Sequence, residues 1–364
     1  MIDVSFYGDV MVINVLIIQG EVPHYRLPVF NSLAKSVCIN LTVVHSGASQ
    51  KNNDLCYKEV VVPRKSLFGF HYQNGLRKYV KDNDVVITMI DVHWLSMIPL
   101  VFNYPRKIVL WGHGLGKSKL ASKFRVFLSK RAAAVLTYGD DAREEFVSNG
   151  IDKSKLFYAH NTVHVDEPYY DKSTVRDQFI YVGRLQKRKK IDQLLLAFAN
   201  ANPHLHDGIG LTIVGDANVD IEGDMAAELK QYAIELGISD SVLFTGAIHD
   251  ESKLKAIFTT ALAYVSPGHV GLGVLHSFAS GVPVITSIHD GHAPEVVNVI
   301  HDKTGLFYSG GVDELTQLLI NMSSDDLLAT RLRENAYNHY INNCTLDHMV
   351  GGFLSVIKYV FEEA

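Results

Sequence analysis

Cations placed just after an apolar run open the case for chemistry. In FIYVGRLQKRKKIDQLLLAF, residues 179–198, the run ends at Gly183 and Arg184 follows. Lys189 comes five residues later, ahead of a helical pattern that begins near Asp192. Cations leaving the carboxyl end of a strand suit a diphosphate, because arginine binds phosphate bidentately and lysine binds it as a point charge. Both would stabilise charge building on a departing phosphate group. Lys187, Arg188, Lys189 and Lys190 also form a charge run, which reads as a solvated basic turn.

A second stretch, SPGHVGLGVLHSFASGVPVITSIHDGHAPEVV, covers residues 266–297. A strand ends at Pro267, a glycine-bearing loop follows, and a helix is expected from Gly271–Leu272. A helix start offers unpaired N–H groups and partial positive charge to an anion, and Gly271 permits close approach of the backbone. His276, five residues on, is expected one to two turns into that helix, within reach of a ribose hydroxyl. Gly281 and Pro283 end the helix and begin the next strand. A plain strand–helix crossover with tightly packed glycines accounts for the same letters.

These pieces need a scaffold, and the chain supplies one. Nearly continuous apolar runs recur at Val12–Ile18, Val85–Ile90, Ile108–Trp111, Ala134–Thr137, Phe179–Val182, Leu211–Val214, Leu262–Ser266 and Pro283–Thr286. Strands buried on both faces read this way, so the economical fold is α/β, with parallel sheets covered by helices. The alternation weakens once, over the polar residues 166–178, where the linker is expected. Residues 1–168 then form one Rossmann-like domain and 177–345 another, facing a central cleft. An apolar-faced helix over 346–361 is expected to pack back onto the first domain. Met1–Val10 reads as an extension upstream of the first strand.

Bulk properties narrow the function. The 364 residues carry 47% hydrophobic and 20% charged side chains, a globular balance. A net charge of −5 gives no electrostatic support to nucleic-acid binding. Cys38, Cys56 and Cys344 are scattered and odd in number, which fits a reducing cytoplasm and gives no zinc spacing. No apolar run approaches the roughly 20 residues of a membrane span.

Together the two chemical stretches resemble glycosyltransferase family 4, a retaining family of the GT-B fold, clearest from Phe179 to Phe307. The resemblance rests on Gly183-Arg184-Leu185 with Lys189, on Val214-Gly215-Asp216, and on Gly271-Leu272. Gly281 to Ile285, Pro294-Glu295-Val296-Val297 and Thr304-Gly305-Leu306 complete it. It implies Arg184, Lys189 and His113 as catalytic residues. It also implies donor contacts at Gly20, Gly183, Gly215, Gly271, Leu272, His276 and Glu295, and an acceptor contact at Arg26. His113 stands in WGHGLG, where the family has a histidine beside the transferred sugar. Gly20 and Arg26 lie in the loop after the first strand. The family's two glutamates, eight residues apart, align with Gly268 and His276. A neutral imidazole offers one donor and one acceptor where a carboxylate accepts from two hydroxyls. The chain thus resembles a variant branch with a changed donor pocket.

No metal or other cofactor is expected; the nucleotide sugar is a co-substrate. His289, Asp290, His292 and His301 read as ordinary loop residues, and Asp82-Asn83-Asp84 reads as a turn. Two basic-aromatic stretches, Arg64–Lys81 and Lys117–Arg131, suit anionic lipid interfaces or plain solvated surfaces. In the second, Leu120, Phe124, Phe127 and Leu128 are expected on one apolar side. By resemblance, the acceptor is a saccharide, lipid-diphosphate-linked, in surface-polysaccharide assembly of the O-antigen or capsule type. The expected location is cytoplasmic, with peripheral contact on the inner face of the membrane. A nucleotide-sugar 2-epimerase and a catalytically silent nucleotide-sugar-binding protein stand as alternatives.

Overall fold

A computed structural model describes residues 11–50, 54–165, 167–217 and 223–363. The expected extension Met1–Val10 lies outside them. The chain divides into two compact units, one running to His164 and resuming at Leu346, the other Val165–Thr345.

In chain order the strands of the first unit are β1 (Ile13–Ile18), β2 (Ile39–His45), β3 (Lys58–Val61), β4 (Arg64–Leu67), β5 (Phe70–Gln73), β6 (Val85–Met89), β7 (Ile108–Gly112), β8 (Ala134–Thr137) and β9 (Leu156–Tyr158). Seven form a parallel sheet in the order β3-β2-β1-β6-β7-β8-β9, and β4 pairs with β5 as a separate antiparallel hairpin. Successive residues of β1 alternate between two buried layers. Val15 and Ile17 pack with Phe30 and Leu33 of helix Leu27–Ala34 and with Phe353 and Val356 of helix Leu346–Glu362. Leu16 and Ile18 pack with Leu100, Leu128 and Phe146 on the opposite face. That double burial is why the strand is apolar throughout. The C-terminal helix runs so close to the sheet edge that a Cβ at Gly352 would overlap the Tyr158 carbonyl.

The second unit contains β10 (Gln178–Val182), β11 (Gly210–Val214), β12 (Val242–Gly246), β13 (Ala261–Ser266), β14 (Val284–Ser287) and β15 (Gly305–Tyr308). They form one parallel sheet in the order β12-β11-β10-β13-β14-β15. Both sheets reverse direction beside their first strand, which is the Rossmann arrangement. In each unit the point of reversal, outside the carboxyl ends of β1/β6 and β10/β13, is where such sheets bind ligands.

Three local expectations change. Over residues 167–178 the polar stretch read as a linker is bonded onto the second unit. Tyr169 N–H donates to the Ala279 carbonyl (2.9 Å), and the Arg176 guanidinium donates to the carbonyls of Ala261 (2.8 Å) and Ser280 (3.1 Å). The stretch Arg64–Lys81 forms the β4–β5 hairpin and a short helix, Leu76–Lys81. The basic helix spans Lys119–Arg131 behind a Ser118 cap, but its expected apolar side divides. Leu128 is fully buried, whereas Leu120 and Phe127 are 81% and 52% exposed.

Candidate functional site

In the second unit the phosphate-type stretch and the glycine loop are zipped together at the β10/β13 reversal. Gly268 N–H donates to the Lys189 carbonyl (3.1 Å), and His269 N–H donates to the Arg188 carbonyl (3.0 Å). The Lys189 ammonium returns the contact by donating to the His269 carbonyl. Burial, with Arg188 adding to it, lowers the Lys189 pKa to about 8. A cation held in a partly dry site at that cost is characteristic of functional positions. Gly268 is required by the same packing, because any Cβ would overlap the Arg188 carbonyl oxygen.

Arg184 leaves the end of β10 into solvent. Its backbone is fixed from below, where the buried Tyr181 hydroxyl donates to the Arg184 carbonyl (2.9 Å). A second buried tyrosine, Tyr264 of β13, donates to the Val182 carbonyl (3.2 Å). Burial pushes the Tyr264 pKa up to about 12 and raises that of Tyr181, so both remain proton donors. Neither tyrosine stood out in the sequence, because a tyrosine inside an apolar strand reads as core.

The glycines divide by role. Gly183 and Gly215 meet back to back at the ends of β10 and β11: a Cβ at Gly215 would overlap the Gly183 carbonyl, and Leu185 N–H donates to the Asp216 carbonyl (3.0 Å). Gly271 and Leu272 precede a helix of seven residues, Gly273–Ala279, shorter and later than expected. Glu295 is buried beside them, its Oε2 3.9 Å from where a Gly271 Cβ would lie. His276 is half-buried in that helix. Its ring stacks on Phe258 (6.4 Å between centroids, 17° between planes), and burial lowers its pKa.

Nearby histidines hold the loop. His292 Nδ1 accepts from Val270 N–H (3.2 Å), and its Nε2 lies 2.7 Å from the Ser287 carbonyl. These contacts fix a neutral ring protonated at Nε2. Asp290 pairs with Lys190 at 2.9 Å, and His301 Nδ1 accepts from Phe307 N–H at 3.0 Å. In the first unit, Asp84 of the Asp-Asn-Asp turn accepts from Asn14 N–H at 2.9 Å.

The first unit holds its own candidate residues. Gly20, at the end of β1, lies against the indole of Trp94, and a Cβ there would overlap the ring. His113, exposed at the end of β7, stacks on Tyr138 (4.4 Å, 29°). Arg26, expected to meet an acceptor, is 3% exposed. Its guanidinium donates to the Tyr138 hydroxyl (2.9 Å) and contacts Met349 Sδ (3.2 Å), with its carbon 4.9 Å from the Trp111 ring centroid. It therefore positions Tyr138 under His113 instead of touching a ligand. Sequence reasoning missed Tyr138; its position at the end of an apolar strand was the available signal.

Comparison with known proteins agrees with this geometry. Residues 169–339 match the family described as Glycosyl transferases group 1. Over 136 residues the chain is 35% identical to the alpha-monoglucosyldiacylglycerol synthase of Streptococcus pneumoniae, covering 36% of this chain and 28% of that protein's length. An uncharacterized glycosyltransferase of Methanocaldococcus jannaschii is 23% identical over 294 residues, 73% of this chain and 72% of its own length. Among solved structures, Anabaena HepE in complex with UDP superposes with a TM-score of 0.72 at 16% identity, covering 96% of this chain and 100% of that one. A glycosyltransferase from Rickettsia africae gives 0.73 at 15% identity, covering 97% and 100%. These structural likenesses show the fold, the pair of Rossmann-like domains called GT-B. Among the described residues no helix is long and apolar enough to cross a membrane.

Proposed function

We propose that the chain, whose residues 169–339 match the family described as Glycosyl transferases group 1, is a glycosyltransferase that moves a sugar from a nucleotide-sugar donor to a saccharide acceptor, retaining the anomeric configuration and using no metal. The observation that carries this reading is the pair of cations at the β10/β13 reversal. Arg184 is open to solvent, and Lys189 is tied to the loop that ends in Gly271-Leu272. In the proposed reaction the bond from the sugar C1 to the donor diphosphate breaks, and the nucleoside diphosphate leaves with the electron pair. Arg184 and Lys189 stabilise the charge that develops on it. The acceptor hydroxyl oxygen bonds to C1 from the same face, and its proton passes to the departing phosphate oxygen. Glu295 supplies a carboxylate for donor hydroxyls in a loop that lacks the usual glutamates. His113, braced by Tyr138, meets the transferred sugar.

For the acceptor we favour a lipid-linked saccharide in surface-polysaccharide assembly. The partial match to a protein named for making a glycosylated diacylglycerol supports the lipid, and the basic-aromatic surface of the first unit supports a peripheral site at a membrane. The test is a panel of nucleotide sugars incubated with exhaustively chelated protein, with and without saccharide and lipid-diphosphate-saccharide acceptors. The anomeric configuration of any product is read by NMR. Acceptor-dependent release of nucleoside diphosphate with a retained anomer is expected. Activity restored only by Mg²⁺ or Mn²⁺ would overturn the metal-free step. Epimerised nucleotide sugar without acceptor would make the chain an epimerase, and binding with no turnover would make it a silent binder. The replaced glutamates make that last outcome the second reading.

A further inference from the structure

The β4–β5 hairpin turns the wrong face to water. In a half-solvated antiparallel pair, side chains alternate, with apolar groups towards the protein and polar groups away. Here the inward set is polar and engaged. Arg64 pairs with Glu21 (3.3 Å), Ser66 Oγ lies 2.8 Å from His71 Nδ1, and the Gln73 amide donates to the Gln19 carbonyl (2.8 Å) and Ser46 Oγ (3.0 Å). The other set is Lys65 opposite Tyr72 and Leu67 opposite Phe70. Leu67, Phe70 and Tyr72 are 69%, 44% and 42% exposed.

The tip continues the pattern. Phe68 and Gly69 form the two-residue loop with φ of +49° and +79°, positive at both positions as in a type I′ turn. Asparagine or glycine is at home at the first of these, whereas a bulky aromatic there is a conformational outlier. Phe68 occupies it at 91% exposure. The hairpin that holds it up is well anchored: His71 N–H donates to the His93 carbonyl (2.7 Å), Leu95 N–H donates to the His71 carbonyl (2.9 Å), and the His71 ring packs on Trp94 at 4.9 Å. This is a fixed element presenting a bare apolar edge.

The sequence that carries it is cationic. Residues 64–131 hold 13 Lys and Arg against three Asp and Glu, although the whole chain is net −5. Arg77, Lys78 and Lys81 follow the hairpin directly, and exposed Leu120 and Phe127 lie on the basic helix Lys119–Arg131. Exposed apolar and aromatic groups accompanied by lysine and arginine complement an anionic bilayer, where rings enter the headgroup region and cations meet phosphate.

We propose that the β4–β5 hairpin is a membrane wedge, inserting Leu67, Phe68 and Phe70 into an anionic bilayer surface while Lys65 and the cations that follow bind lipid phosphates. This deepens the peripheral membrane site proposed above and names its element, but it does not rest on the transfer chemistry, because lipid binding is measured without turnover. The full chain is sedimented with phosphatidylcholine vesicles with and without phosphatidylglycerol, at low and high salt. Wild-type protein is expected to sediment only with the anionic vesicles, and less at high salt. Phe68→Asn, alone and with Leu67→Ser, is expected to lower the vesicle partition coefficient about tenfold. The melting temperature should hold in both variants, because neither side chain is packed and asparagine suits the turn. Lys65→Glu should weaken binding to anionic vesicles and leave neutral ones unaffected. Equal sedimentation of wild-type and tip variants, equal binding to neutral vesicles, or no vesicle binding at all would each overturn the proposal; the last would point to a protein partner on this edge.

Discussion

Lys189 gives the site a pH dependence that can be worked out before measurement. Burial holds its pKa at about 8 against an ordinary 10.5, so between those values the folded protein binds fewer protons than the unfolded chain. Stability therefore rises with pH across that window, and the cost of the buried charge is felt in full below about pH 8. The separation corresponds to an upper bound of about 3 kcal/mol, reduced to about 1–2 kcal/mol because the ammonium is partly solvated. Donor binding runs the other way. A bound diphosphate favours the ammonium, so affinity falls as the free amine deprotonates. If the bound lysine stays charged, moving from pH 7.5 to 9.0 should weaken binding about eightfold. The phosphates are already ionised across that range, since their last pKa is about 6. Isothermal titration of uridine diphosphate into wild type and Lys189→Met is the assay. Wild type should show the fall, whereas Lys189→Met should bind about tenfold or more weakly at pH 7.5 and stay flat to pH 9.0. A flat wild-type profile, or an equal fall in the variant, would refute the assignment of Lys189 to the diphosphate.

Other substitutions separate chemistry from packing. Arg184→Ala should cut turnover at least about tenfold, the worth of one charged hydrogen bond, with the melting temperature unchanged; near-normal turnover contradicts its role. Gly268→Glu, which restores the glutamate that the resemblance leads one to expect, should lower both thermal stability and donor affinity because its Cβ meets the backbone of Arg188. Tighter donor binding in that variant would show that the two loops separate readily. His276→Ala should cost about 1–3 kcal/mol of stability and leave donor affinity alone across pH 5.5–7.5, as expected when packing against Phe258 is lost. A weakened, pH-dependent donor affinity would return His276 to the site.

The sheets were legible because their strands are buried on both faces. Val85 to Ile87 and Ile108 to Trp111 are almost wholly inaccessible, and apolar runs of that kind have few other uses in a soluble domain. The hairpin was illegible for the opposite reason. All four residues of Arg64–Leu67 are exposed, and its apolar set faces outward, so no alternation towards a core marks it. The stretch 166–178 misled because its polarity suggests solvent. Arg176 instead satisfies carbonyls some 85 and 104 residues away, a use that local composition does not encode. The chemical cations were visible by type and spacing. Their supports, Tyr181 and Tyr264, were not, because a buried hydroxyl aimed at a carbonyl looks in sequence like any aromatic in a strand; Tyr138, which stacks on His113 and accepts from Arg26, was hidden by long-range contacts. Arg26 was misread the same way, since nothing local shows that Met349, 323 residues later, closes over it.

The two replaced glutamates have different physical standing, and the difference bears on how the donor is held. At Gly268 the loop has closed into the space a side chain would need, with Gly268 and His269 both bonded to the backbone of Arg188–Lys189. The contact a glutamate would make is thereby exchanged for a fixed position of Lys189, whose ammonium grips the same loop. At position 276 a long carboxylate has given way to a ring that stacks on Phe258 and is pushed towards neutrality by burial. Neither change leaves an unpaired buried charge, and the first closes the loop onto the backbone of Arg188 and Lys189. In the proposed donor site, the absence of a carboxylate at each point leaves less negative charge beside the diphosphate, which strengthens the field of Arg184 and Lys189 there. Sugar and ribose hydroxyls then depend on backbone groups of the loop and on Glu295 beneath Gly271. A donor site so built, as proposed above, is expected to recognise the donor chiefly through its diphosphate and only secondarily through its ribose.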